Sequence, residues 1–356
     1  MSLHFHTLTI QDITQETKDC VSIAFHIPEH LKKAFSFTQG QNITLKTMIN
    51  GTEVRRSYSL CSSPLSNQFR VAIKRVDGGV FSTFANEHLK VGDSVEVMSP
   101  AGKFYTELNP TNTKNYVAFA AGSGITPILS IVETTLIAEP QSNFILVYGN
   151  KNHNSIIFKE SLEALKNKFL QRFQLIHILS RERTDADVNF GRIDSNKLQQ
   201  LSSLINYKTI DEFFICGPEE MIFCVKDFLT AQSIEQKKIH FELFAASTPK
   251  TKTATTTTTD TTAKSNISVT VDGRSFDFDL PFNGTNILDA ALQQGADLPY
   301  ACKGGVCCTC KAKLLEGQVQ MDVHWGLEHE EIEQGFILTC QSHPITEKVV
   351  IDFDVK

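Results

Sequence analysis

Five of the nine cysteines fall within 39 residues near the C-terminus, and four of these carry a recognisable spacing. Cys302 and Cys307 are separated by four residues, Cys307 and Cys310 by two, and Cys340 follows after 29 more. C-x4-C-x2-C followed by a distant cysteine is a ligand spacing of a [2Fe–2S] cluster, in which four thiolates hold two irons. Gly304 and Gly305 allow backbone N–H groups to approach the sulfurs. A zinc ion on four cysteines is the competing reading. Structural zinc sites usually pair two short C-x2–4-C knuckles, whereas here the second half is a lone cysteine. Cys308 is an extra thiol with no role to infer. An odd cysteine count argues against a disulfide framework. The opening residues Met1 to His6 have neither a basic n-region nor an apolar h-region, so a cytoplasmic protein is expected.

Such a cluster segment occupies only the end of a 356-residue chain, a length that implies two or three domains. No apolar run approaches 18 residues, which excludes a spanning helix. The net charge of −6 argues against a nucleic-acid partner. That charge is uneven. Ser265 to Lys356 holds 14 acidic and 6 basic residues, a balance of −8, while the remainder holds 26 and 28, a balance of +2.

The clearest division is the stretch 247–264, where ten of the fifteen residues from 248 to 262 are Thr. No apolar residue alternates with them, so a solvated linker is expected, with a span of roughly 25 Å on random-coil scaling. Before it, residues 1–108 read as short alternating strands, an antiparallel β-barrel. Residues 109–246 alternate apolar runs with helical stretches, a doubly wound parallel α/β sheet. Residues 265–356 open on a hairpin across Asp272-Gly273, then a helix capped by Asn286 and closed by Gly295.

Candidate binding residues lie at the ends of these strands. Arg56-Ser57-Tyr58-Ser59 offers an arginine for a diphosphate, a flat ring for an isoalloxazine and a hydroxyl for its polar edge. An exposed strand end is the plainer reading. Lys74 ends another strand. Gly78-Gly79, with Ser82 three residues on, reads as a turn presenting N–H groups to phosphate at a helix start, or as a hairpin turn. Gly122-Ser123-Gly124-Ile125-Thr126-Pro127 stands between an apolar strand and a helix, the context a dinucleotide turn requires. Gly122, Gly124 and Thr126 are its candidate contacts. Cys216-Gly217 ends a later strand, where ligands of such sheets sit. A buried strand-end cysteine is the alternative. Ser180 and Arg181, with Arg183, suit the 2′-phosphate of NADPH, or are solvated charge. Glu242, near the last strand's end, is a further candidate.

Taken together, these motifs over about residues 3–246 resemble the ferredoxin–NADP reductase superfamily. Pro299-Tyr300-Ala301-Cys302, the cysteine spacing and Leu338-Thr339-Cys340-Gln341 resemble plant-type ferredoxins, which implies a β-grasp α+β fold for the last module. The module order, with Val54-to-Ser62 and Ala72-to-Val76, is most similar to the reductase subunits of phenylacetyl-CoA epoxidases. The likeness implies FAD, a [2Fe–2S] cluster on Cys302, Cys307, Cys310 and Cys340, and NADPH or NADH as electron donor. It implies catalytic roles for Tyr58, Ser59, Cys216 and Glu242. It also implies a di-iron oxygenase partner docking on the acidic ferredoxin module. Phthalate-type reductases share the order but hold FMN. An FMN reductase of a Rieske oxygenase, or a carrier or redox-sensing subunit with vestigial nucleotide sites, are the alternatives.

Overall fold

A computed structural model describes residues 4–244, 264–282 and 284–355. Of the threonine-rich stretch only Lys264 is among them, and it opens a strand; the expected linker otherwise lies outside the described residues. The chain packs as two units, one of residues 5–243 and one that contains residues 264–355.

The first unit begins with six antiparallel strands, β1 (Phe5–Thr17), β2 (Cys20–His26), β3 (Asn42–Ile49), β4 (Thr52–Ser59), β5 (Arg70–Lys74) and β6 (Ser94–Met98), in the order β4-β3-β6-β1-β2-β5. Alternation sends Leu8 and Ile10 of β1, Ile43 and Leu45 of β3 and Val95 and Val97 of β6 inward. A bridge between Leu60 and Val71 joins β4 to β5, the two ends of that order, and closes the barrel. Helix α1 (Val80–Glu87) buries Phe81 and Ala85 against its core.

The chain then alternates β7 (Asn115–Ala121), α2 (Ile125–Ala138), β8 (Asn143–Asn150), α3 (Lys159–Lys168), β9 (Phe173–Leu179), α4 (Ser195–Leu201), β10 (Glu212–Cys216), α5 (Glu219–Ala231) and β11 (Ile239–Glu242). All five strands are parallel, in the order β11-β10-β7-β8-β9. The order reverses at β7, whose neighbours β8 and β10 are reached by crossovers in opposite directions. Such a switch point opens a crevice at the carboxyl ends of the two central strands.

The expected division near residue 109 is not a gap in packing. Cys61, Ala72 and Phe104 from the barrel half share one buried cluster with Ile128, Leu129 and Phe214 of the parallel half. Ser130 and Thr134 of α2 also donate to the Ser62 carbonyl and the Ser63 hydroxyl, at 2.7 and 2.9 Å. Polar stretches mark chain turns, but shared apolar surface decides where units separate.

The second unit pairs β12 (Lys264–Val271) with β13 (Arg274–Pro281) across Asp272 and Gly273, whose φ values of 50° and 69° suit a tight hairpin turn. Helix α6 (Ile287–Gln293) starts at Asn286, which accepts from the Asp289 N–H at 2.8 Å, and ends before Gly295 at φ 85°. Strands β14 (Lys311–Glu316), β15 (Val319–Met321), β16 (Phe336–Leu338), β17 (Ser342–Pro344) and β18 (Lys348–Asp352) and helix α7 (His329–Glu333) follow. The main sheet runs β13-β12-β18-β14-β16, with β12 and β18 parallel, and β15 pairs separately with β17. Ile287, Leu288 and Ala291 of α6 pack on Val269, Ile351 and Leu338. Among the described residues no helix is long and apolar enough to cross a membrane.

Candidate functional site

Strand β4 delivers the first group of residues. Ser59, its last residue, is buried and donates from its hydroxyl to Glu242 Oε2 at 3.0 Å. Glu242 ends β11 and lies beside Cys216 in the parallel register. Burial pushes the Glu242 carboxyl up to about 7, against hydrogen bonds from Ser59 and Asn42. A carboxyl with that affinity can hold or release a proton near neutrality. Tyr58 sets its ring 5.6 Å from Phe81, and burial pushes its phenol well up, so it stays neutral. Arg56 is exposed and folds one N–H back to the Arg55 carbonyl at 2.7 Å. Ser57 lies 3.3 Å from the Thr44 hydroxyl.

Gly78 and Gly79 form the turn before α1. Gly78 has φ 72°, and a side chain on Gly79 would begin 2.5 Å from the Ser82 hydroxyl. Gly79 gives α1 no side-chain cap, so the helix presents open N–H groups. The Ser82 side chain is bonded within the turn. Its oxygen accepts from the Val76 N–H at 3.1 Å and donates to the Gly79 carbonyl at 3.3 Å. It holds the turn together.

At the switch point, Gly122 takes φ 54° and leads through a 3-10 turn into α2. A Cβ on Gly124 would stand 2.1 Å from the Cys216 carbonyl oxygen, and one on Gly217 would stand 3.2 Å from Ala121 Cβ. The two turns therefore meet through bare backbone. Neither Ala121 nor Gly124 caps its helix with a side chain. Lys74 brings its ammonium 4.0 Å from where a Gly122 side chain would begin. Two expected contacts are buried. Thr126 is buried and donates to the Ser123 carbonyl at 3.0 Å, a local hydrogen bond. The Cys216 thiol is fully buried, and burial and the nearby Glu242 charge raise it.

The Ser180–Arg183 segment also divides. Ser180 donates to the Asn150 carbonyl at 3.3 Å, Glu182 accepts from the His153 N–H at 2.9 Å, and Arg183 lies 4.8 Å over Phe190. Arg181 is exposed beyond β9. Two residues of the site escaped the sequence. Asn42 reaches Glu242, and only its pairing with Ser59 across β3 and β4 would have revealed it. Tyr148 is buried and donates to the Gly122 carbonyl at 3.0 Å, which no local pattern announces.

In the second unit the four cysteines gather as two pairs. Cys302 is held well below the usual thiol range by a hydrogen bond from Cys307, against burial, and Cys340 is lowered in the same way by Cys310. Two thiols on each side suit two irons. The Gly304 N–H donates to Cys302 Sγ at 3.3 Å. Gly305, at φ 72°, leaves no room for a Cβ, which would stand 2.6 Å from the Val323 carbonyl.

Comparison with known proteins gives the same three parts. Family profiles match an oxidoreductase FAD-binding domain at residues 7–105, an oxidoreductase NAD-binding domain at 119–227 and a 2Fe-2S iron-sulfur cluster binding domain at 269–344. The chain is 46% identical to one of the subunits of the 1,2-phenylacetyl-CoA epoxidase of Escherichia coli, over 99% of this chain and 98% of that one. It is 32% identical to the ferredoxin reductase component of 3-ketosteroid-9-alpha-monooxygenase of Rhodococcus rhodochrous, over 97% and 96%. Phthalate dioxygenase reductase has the same fold, with a TM-score of 0.59, 24% identity and 98% coverage of both chains. The chain is an oxidoreductase whose groups are FAD, a [2Fe–2S] cluster and NAD(P)H. It belongs to the family of flavin- and iron–sulfur-dependent oxygenase reductases that includes these components of the phenylacetyl-CoA epoxidase and the ketosteroid monooxygenase.

Proposed function

We propose that the chain is the reductase component of a multicomponent oxygenase, and that it carries electrons from NADPH through FAD and the cluster to a di-iron protein that epoxidises the ring of phenylacetyl-CoA. The single observation that carries the substrate is the 46% identity along the whole chain. Nicotinamide supplies electrons in pairs, the cluster accepts them singly, and the flavin mediates between the two. The chain's own residues position these groups. Tyr58 offers a flat face to the flavin ring, and Ser59 holds Glu242 at 3.0 Å beside it. Glu242, near 7, holds or moves a proton there. Arg56, Lys74 and the open N–H groups of α1 and of the Gly122–Gly124 turn suit the phosphates. Gly217 and Cys216 form the floor of the nicotinamide position. Arg181 supports NADPH over NADH, because its exposed guanidinium can pair with a 2′-phosphate.

Domain roles follow the same reading: 1–108 for the flavin, 109–246 for the nucleotide and 265–356 for the cluster. The balance of −8 in the last favours an oxygenase docking there through a basic surface. A cytoplasmic location agrees with the cysteine use. The test is reconstitution of the holoprotein with the remaining subunits of the Escherichia coli epoxidase. NADPH-dependent oxygenation of phenylacetyl-CoA is expected. Cluster reduction by NADPH without ring oxygenation would overturn the substrate assignment and keep the electron path.

A further inference from the structure

We infer that Trp325 is the anchor by which an electron-accepting protein with a basic face docks on the cluster unit. The inference rests on the proposed delivery of electrons to an oxygenase component and names the surface that makes it. Trp325 is the chain's single tryptophan and is 45% exposed. Its ring stacks on His324 with centroids 6.4 Å apart. The backbone beneath it is fixed to the cysteine loop. The Gly326 N–H donates to the Gly305 carbonyl at 2.9 Å. A Cβ on Gly326 would stand 2.6 Å from the Cys307 carbonyl, and one on Gly305 would stand 2.6 Å from the Val323 carbonyl. Residues 323–326 thus lie directly against residues 305–307, next to a cluster ligand. An indole held at such a place gives a partner a large, rigid surface to bury close to the electron's exit. Tryptophan is among the residues that most often dominate interface energies.

Charge identifies the occupant. Residues 322–333 contain five acidic side chains and no Lys or Arg. Glu331 is buried and bonded to Lys311 at 2.9 Å, while Asp322, Glu328, Glu330 and Glu333 are exposed. These exposed carboxylates around the indole suit an acceptor protein whose basic rim surrounds an apolar recess.

The test uses the holoprotein carrying Trp325→Ala, Trp325→Phe or the pair Glu330→Gln and Glu333→Gln. Two acceptors are titrated, the remaining subunits of the Escherichia coli epoxidase and cytochrome c as a basic haem protein. NADPH-driven ferricyanide reduction and cluster bleaching are measured alongside. Trp325→Ala is expected to raise the KM for the protein acceptors about tenfold, with Trp325→Phe recovering most of it. The double Gln variant is expected to raise KM about threefold at low salt and to have no effect at high salt. Ferricyanide reduction and cluster bleaching should not change. Unchanged KM values in all variants would overturn the inference, as would equal loss in Trp325→Ala and Trp325→Phe. If the wild type reduces cytochrome c but not the epoxidase components, the substrate reading fails and cytochrome c alone decides the surface. Should Trp325→Ala lose its cluster, the double Gln variant decides, since both its positions are exposed.

Discussion

The two units build their sites in opposite ways. In the cluster unit, all four ligands come from 39 consecutive residues, and one loop with two glycines arranges three of them. In the reductase unit, Ser59 and Glu242 meet across 183 residues of sequence, and Gly124 meets Cys216 across three crossovers of the sheet. A local site depends on the conformation of one loop. A distributed site depends on the packing that brings distant strand ends together, so a change can disturb it without touching a ligand.

The largest effect should come from the local site. Cys310→Ser removes one of four thiolates, and delivery to any protein acceptor should fall at least a hundredfold. NADPH-driven ferricyanide reduction should persist, because it draws on the reductase unit. Loss of both would show that the two sites are not separable.

Gly124→Ala should come next. Its Cβ would stand 2.1 Å from the Cys216 carbonyl and 2.8 Å from the Gly217 nitrogen, both backbone atoms that cannot rotate away. The turns must part, and the KM for NADPH should rise more than tenfold, with a thermal midpoint several degrees lower. Steady-state kinetics and a melting curve check both. An unchanged KM would mean that the nucleotide does not use this turn.

Glu242→Gln addresses the proton. Burial raises the Glu242 carboxyl from an ordinary 4.5 to about 7, so the folded protein binds a proton that the unfolded chain releases. Its stabilising contribution is present below about 4.5 and is lost as pH rises through 7, a difference on the order of 3 kcal/mol. Denaturant midpoints of the apoprotein should decline over this window in the wild type and stay flatter in Glu242→Gln. Parallel curves would contradict the assignment.

Thr126→Val should have the smallest effect. It removes a local hydrogen bond to the Ser123 carbonyl, and the KM for NADPH should change less than threefold. A tenfold rise would restore Thr126 as a ligand contact.

The contrast also explains what sequence reading recovered. Cysteine spacing, strand alternation and the Gly122–Gly124 turn are local, and each occurs where expected. Asn42 and Tyr148 are defined by strand neighbours, so nothing near them in sequence marks them. Ser82 and Thr126 show local bonding that the motifs did not announce. Both stand in the first turn of a helix, where a hydroxyl readily bonds a nearby backbone group. The division expected at residue 109 leaves no gap in packing, because Phe104 and Cys61 bury themselves with the parallel sheet.

The most direct test of the electron path is anaerobic mixing of the holoprotein with NADPH, with flavin and cluster absorbance followed together. The flavin should bleach first and the cluster second in the wild type, and only the flavin should bleach in Cys310→Ser. Cluster reduction that precedes flavin reduction, or that fails in the wild type, would contradict this path.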